Sequence, residues 1–159
     1  MLNKNDFPSS ANNWRNDIAE ITIASYEHFI GESVVDCKDK FSSSSEALFH
    51  LKHPLLVHDT QSDPIFCYGN LLALKIFEYN WKELLKLPSR LSAEVTQQKD
   101  RSKMMKEIQK TGYAKGYSGI RITKTGKRIQ IEDTTIWNLL GPNSQFSGQA
   151  ALIKIFNYL

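Results

Sequence analysis

His50, His53 and His58, with Asp59 beside the last, are the side chains whose types most directly suggest chemistry, because imidazole and carboxylate groups hold zinc. Their spacing matches no zinc-finger or hydrolase pattern, and Pro54 interrupts it. Nucleophilic catalysis asks for a hydroxyl or thiol beside a base. Ser118 and Asp133 lack a histidine to complete such a set, and the chain contains no Gly-x-Ser-x-Gly, no phosphate-cradling glycine loop and no dinucleotide fingerprint. Cys37 and Cys67 read as free thiols, since two cysteines in an intracellular chain make no disulfide framework. Lys99, Arg101, Lys103, Lys106, Lys110 and Lys115 offer phosphate contacts, yet Asp100 and Glu107 break the run. No aromatic residue stands between Lys99 and Lys110 to stack on bases, so the run reads as a solvated helix face. The expectation is therefore a protein that is not an enzyme, holds no metal and makes no direct contact with nucleic acid.

The elements that would position a binding site are easier to read. Pro64 suits the first residue of a strand, residues 65–68 carry β-favouring side chains, and Asn70 is placed to cap a helix running from Leu71 to Glu78. A second short helix follows from Trp81 and stops at Pro88. Before them, Trp14, Ile18, Ile21, Phe29 and Ile30 follow helical spacing, which predicts an amphipathic N-terminal helix. It packs either on the sheet of its own chain or on a second subunit. The run of four serines, residues 42–45, marks a linker before a short helix around residues 46–52.

The C-terminal half predicts a long helix near residues 96–110 and then three antiparallel strands. Thr125-Gly126 offers a two-residue turn that would place Ile122 opposite Ile129, Ile120 opposite Ile131 and Ser118 opposite Asp133. In the last strand, Ile153 and Ile155 share one side and read as its inward face.

Strand, capped helix and short helix, in that order, resemble the opening of a PAS-type domain. The resemblance sharpens at residues 88–94 (PSRLSAE), 116–122 (GYSGIRI), 131–139 (IEDTTIWNL) and 148–151 (GQAA), which are similar to the MEKHLA domain, a PAS-related family. The match runs over roughly residues 12–156. It implies an α+β fold: a five-stranded antiparallel sheet with helices on one face, plus the N-terminal amphipathic helix. Residues 1–52 would be a helical extension and linker, and 53–159 the PAS-like core.

The resemblance also implies a sensory or regulatory role, with a pocket between sheet and helices. Phe66, Tyr68, Phe77, Leu91, Met105, Ile120, Ile131 and Trp137 would line it. Among polar residues, Arg90, Ser118, Asp133 and Gln149 are the expected ligand contacts; the competing reading pairs Arg90 with Asp133 in a self-satisfied buried network. No cofactor is assigned: the place where flavin photosensors carry their cysteine reads Pro88-Ser89-Arg90-Leu91-Ser92, and residues 96–110 contain no histidine for haem.

Composition agrees with one folded domain. The chain has 159 residues, 41% hydrophobic, and no apolar run of membrane-spanning length. A net charge of +3 is too small to announce a polyanionic partner. The N-terminus lacks a signal-peptide core, which predicts a cytoplasmic protein. Three functional readings follow: a small-molecule sensor that signals through protein contact, a ligand-free dimerisation or partner module acting through the N-terminal helix, and a small enzyme on the same scaffold.

Overall fold

The computed structural model describes residues 3, 5–36, 40–94 and 98–159; Cys37 lies outside them, as do the side chains of Lys99 and Arg101. Helix α1 spans Asn16–Ile30 and α2 Ser44–Phe49; strands β1 (Leu55–His58) and β2 (Phe66–Gly69) lead into α3 (Leu71–Phe77) and α4 (Trp81–Leu84). Helix α5 (Gln98–Thr111) then precedes β3 (Tyr113–Ile122), β4 (Arg128–Leu140) and β5 (Phe146–Tyr158). The strands form one antiparallel sheet in the order β2-β1-β5-β4-β3.

Asn70 does more than cap α3. Its Oδ1 accepts from the backbone N–H of Ala73, as a cap should, and also from that of Leu55 at the start of β1; its Nδ2 donates to the carbonyl of His53. One buried amide thus joins strand, helix and the approach to the sheet, satisfying backbone groups that would otherwise be orphaned.

Helices cover both faces of the sheet at β4. Neighbouring residues on a strand point to opposite sides. Ile136, with Ala114, packs against Met104 and Ile108 of α5, while Trp137 meets Tyr26 of α1 and donates its indole N–H to the carbonyl of Thr22. Helix α1 buries Ala19, Thr22, Ser25 and Tyr26 rather than the larger predicted stripe, whose Ile18, Ile21, Phe29 and Ile30 are only half-buried. Small residues let the helix lie close on β4, where Ser25 Oγ accepts from the N–H of Leu140. The side chains of α1, α2, α3 and α4 share one continuous core with the strands.

The β3–β4 hairpin departs from the expected register by one residue. Gly119 pairs with Ile131 and Arg121 with Ile129, because the loop has three residues, 124–126, closed by the Thr123–Lys127 backbone pair. Gly126, at φ +87°, takes the left-handed position that ends such a loop. Strand β5 also differs: Ile153 is buried, but Ile155, expected inward beside it, is exposed.

The chain from Leu87 to Glu94 runs beside both outer strands. Phe66 N–H donates to the Leu87 carbonyl and Ser89 N–H to that of Pro64, beyond β2. Ala93 then bridges Arg121, and Glu94 N–H donates to the carbonyl of Ile120, beyond β3.

Candidate functional site

The expected interior pocket is occupied by its own lining. Phe66, Tyr68, Phe77, Ile131 and Trp137 are buried core residues, and Trp137 lies on the sheet face opposite α5. Of the polar candidates, Arg90, Ser118 and Asp133 are exposed and Gln149 is half-buried. Arg90 is exposed and paired with Asp63 at 3.1 Å, not with Asp133. Asp133 is itself exposed, at φ +48° where the pairing of β3 with β4 shifts. Ser118 and Met105 are exposed, and Met104 is the methionine α5 buries; Leu91 is also exposed. Gln149 is half-buried and donates to Asn138 Oδ1, while Ile120 is half-buried on β3. The shifts in β3–β4 pairing and the one-residue register change turn Ser118 and Asp133 away from the face that simple alternation assigns, while Arg90 and Leu91 lie on the short turn Ser89–Ser92 and Met105 on α5, outside the strands.

A groove of about 800 Å³ lies on the outer side of α3 and α4. Leu71, Leu74 and Lys75 face it at i, i+3 and i+4 spacing on α3, followed by Tyr79, Asn80, Trp81 and Lys82. Asn5, Asp6 and Phe7 form its remaining wall. Leu71 and Phe7 are 45% and 48% exposed and leave apolar surface open to water.

Arg15 ties the groove to α1. Only 1% exposed, its guanidinium lies 5.9 Å from the ring centroid of Trp81. It donates twice to the Asp17 carboxylate, at 3.0 and 2.9 Å, and once to the backbone carbonyl of Asp6 at 3.1 Å. Three successive non-glycine residues, Asn13, Trp14 and Arg15, adopt left-handed conformations at φ +52°, +56° and +53°. Such geometry costs about 1–2 kcal/mol per residue. The side chain of Asn12 offsets part of this: its Oδ1 accepts from the N–H groups of Ser9 and Arg15, and its Nδ2 donates to the carbonyl of Phe7. Phe7 in turn meets the rings of Phe49 and Trp81 edge-on, with centroids 5.4 and 6.1 Å apart.

Two polar atoms beneath the groove lack partners. Trp81 Nε1 and the Tyr68 hydroxyl are buried without a hydrogen bond, and their rings meet edge-on at 5.9 Å. Burial pushes the Tyr68 hydroxyl far above its ordinary value, against the opposing pull of Arg15, so it remains a neutral phenol. On the same strand, burial and then the charge of Asp59 push the Cys67 thiol up to about 12, which leaves it protonated and unreactive.

Sequence reasoning missed Arg15, Trp81 and the groove. One signal was present: α3 reads Leu71, Leu72, Ala73, Leu74, Ile76, Phe77, too apolar for a helix with one buried side. The histidines serve local structure, with His50 and His58 bonding through Nδ1 to the carbonyls of Glu46 and Asp59. Among the described residues no three His, Cys, Asp or Glu side chains gather as metal ligands, and no helix is long and apolar enough to cross a membrane. A second, smaller opening of about 300 Å³ lies between α5 and β3, with Lys103, Glu107, Lys115 and Ser118 on its wall.

The MEKHLA domain profile matches residues 16–158. No curated protein matches. Among solved structures, the chain is similar to the PAS domain of a protein from Colwellia psychrerythraea, with a TM-score of 0.57 and 18% identity over 69% of this chain and 91% of that one. The LOV domain of the Erythrobacter litoralis EL346 blue-light activated histidine kinase gives 0.57 and 14%, over 69% and 100% of the two chains. The Aureochrome1 LOV domain, from a blue-light photoreceptor, gives 0.56 and 13%, over 75% and 86%. At these identities the likeness is one of fold.

Proposed function

The chain belongs to the MEKHLA domain family, and from that premise we propose that it is a sensory or regulatory domain that takes an apolar small molecule in the groove beside α3 and α4. The observation that carries this reading is the groove itself: its volume of about 800 Å³ falls in the usual range for small-molecule sites. The interior, by contrast, is filled by large side chains.

Signalling follows from what the groove touches. A molecule resting on Trp81 and Phe7 changes the packing around Arg15, which holds the N-terminal segment, the strained turn and the first turn of α1 together. Helix α1 lies on β4 through Trp137, so a change at the groove reaches the far side of the sheet through packed side chains. A neighbouring protein then reads the altered outer surface.

Native mass spectrometry of gently purified protein, repeated after denaturation, tests the proposal. A released small molecule that is missing from Leu71→Glu supports it. A molecule retained by Leu71→Glu but lost when the interior is altered, as in Ile136→Phe, sinks the groove reading in favour of an internal site.

A further inference from the structure

We infer that the groove selects an amphiphile with an apolar chain and an anionic head group, a fatty carboxylate being the simplest example; this rests on the groove being the sensory site. The wall supplies length without polarity: Phe7, Leu71, Leu74 and Trp81 present ring and aliphatic surface. Charge at the mouth is unequal. Among the described lining residues, Lys75 and Lys82 contribute two cations against the single carboxylate of Asp6, an excess of one positive charge. Both lysines are exposed.

Other acidic groups near these helices are already engaged, Glu78 with Lys127 and Glu83 with Lys124. The two groove lysines form none of the ion pairs found among the described residues. Trp81 contributes its ring to the wall, while its Nε1 is buried and out of reach of a molecule in the groove. Apolar wall and cationic mouth together describe a carboxylate-headed chain.

The test compares dodecanoate with 1-dodecanol by titration of the full chain at low salt, following the indole N–H resonance of Trp81, assigned with Trp81→Phe. Two exposed cations are worth roughly five- to tenfold in affinity, and salt screens them. Dodecanoate is expected to bind tighter by that factor, with the preference abolished in Lys75→Gln/Lys82→Gln, surface changes that leave the core untouched. Equal affinity for the two compounds, or a preference that survives the double substitution, overturns the anionic head group while leaving the groove as a site. Failure of both compounds to shift Trp81 overturns the groove reading along with it.

Discussion

Trp137 and Trp81 are both almost wholly buried indoles, at 0% and 3% exposure, yet their surroundings differ in kind. Trp137 is closed on every side: Tyr26 meets its ring, Thr22 accepts its N–H, and Ala150 lies opposite it on β5. Trp81 has a cation over its ring, a groove on its flank and no acceptor for its N–H. One indole completes a core, and the other stands between that core and solvent with its hydrogen bonding unfinished. The contrast separates a closed side of the core from one that opens on a groove.

The largest effect tests the closed side. Trp137→Ala removes an aromatic side chain from a packed interior and is expected to cost about 3–5 kcal/mol, measured by urea denaturation. A loss below 1 kcal/mol would break the comparison. Next comes the link between the two regions. Arg15→Met removes a cation whose carboxylate partner is 39% exposed, which discounts the penalty for a fully buried pair to about 2 kcal/mol. Amide exchange should accelerate through residues 5–9, because Arg15 no longer holds the Asp6 carbonyl; unchanged exchange would mean the segment is held by Phe7 alone.

A gentler pair sharpens the contrast. Trp137→Phe forfeits a made hydrogen bond and should cost about 1–2 kcal/mol, whereas Trp81→Phe deletes an unmet donor and should cost less. Equal losses would show that the unpartnered indole is no different from the partnered one.

Smallest is the effect of pH at the far end of the groove helices. The Lys127 ammonium, then the Thr125 and Thr123 hydroxyls, hold the Glu78 carboxyl at about 2, below its ordinary 4.5. A depressed carboxyl contributes its stability above the ordinary value and loses it as pH falls toward the folded one. The difference in Tm between wild type and Glu78→Gln should therefore shrink from about pH 5 downward. A difference that is constant across this interval would show that the Glu78–Lys127 pair does not set it.

Local chemistry made much of the fold legible. Pro64, Asn70 and the β-favouring run between them announce strand, cap and helix, since each acts on its immediate neighbours. The β3–β4 hairpin was legible in place but not in register: Thr125-Gly126 looks like a complete two-residue turn, and only the backbone pairing of Thr123 with Lys127 reveals the third loop residue. The groove lay beyond reach for a different reason. Arg15 meets Trp81 across most of the N-terminal half of the chain, through a left-handed turn built from Asn13, Trp14 and Arg15 without a glycine to signal it. Asp133 and Arg90 misled because a polar residue near a predicted strand face reads as buried until bulges and surface ion pairs are known.

The passage of Leu87 to Glu94 along both outer strands also bears on the exposed rims of the sheet. An open sheet invites a foreign strand to add its backbone to the rim, the route by which many domains polymerise or capture extended peptides. Here β2 already has Leu87 and Pro88 beside it, and Ala93 and Glu94 occupy the end of β3. What remains of the β3 rim carries Lys115 and the irregular Gly116 at φ +73°, both unfavourable to a flat incoming strand. Growth by strand exchange is discouraged at either flank.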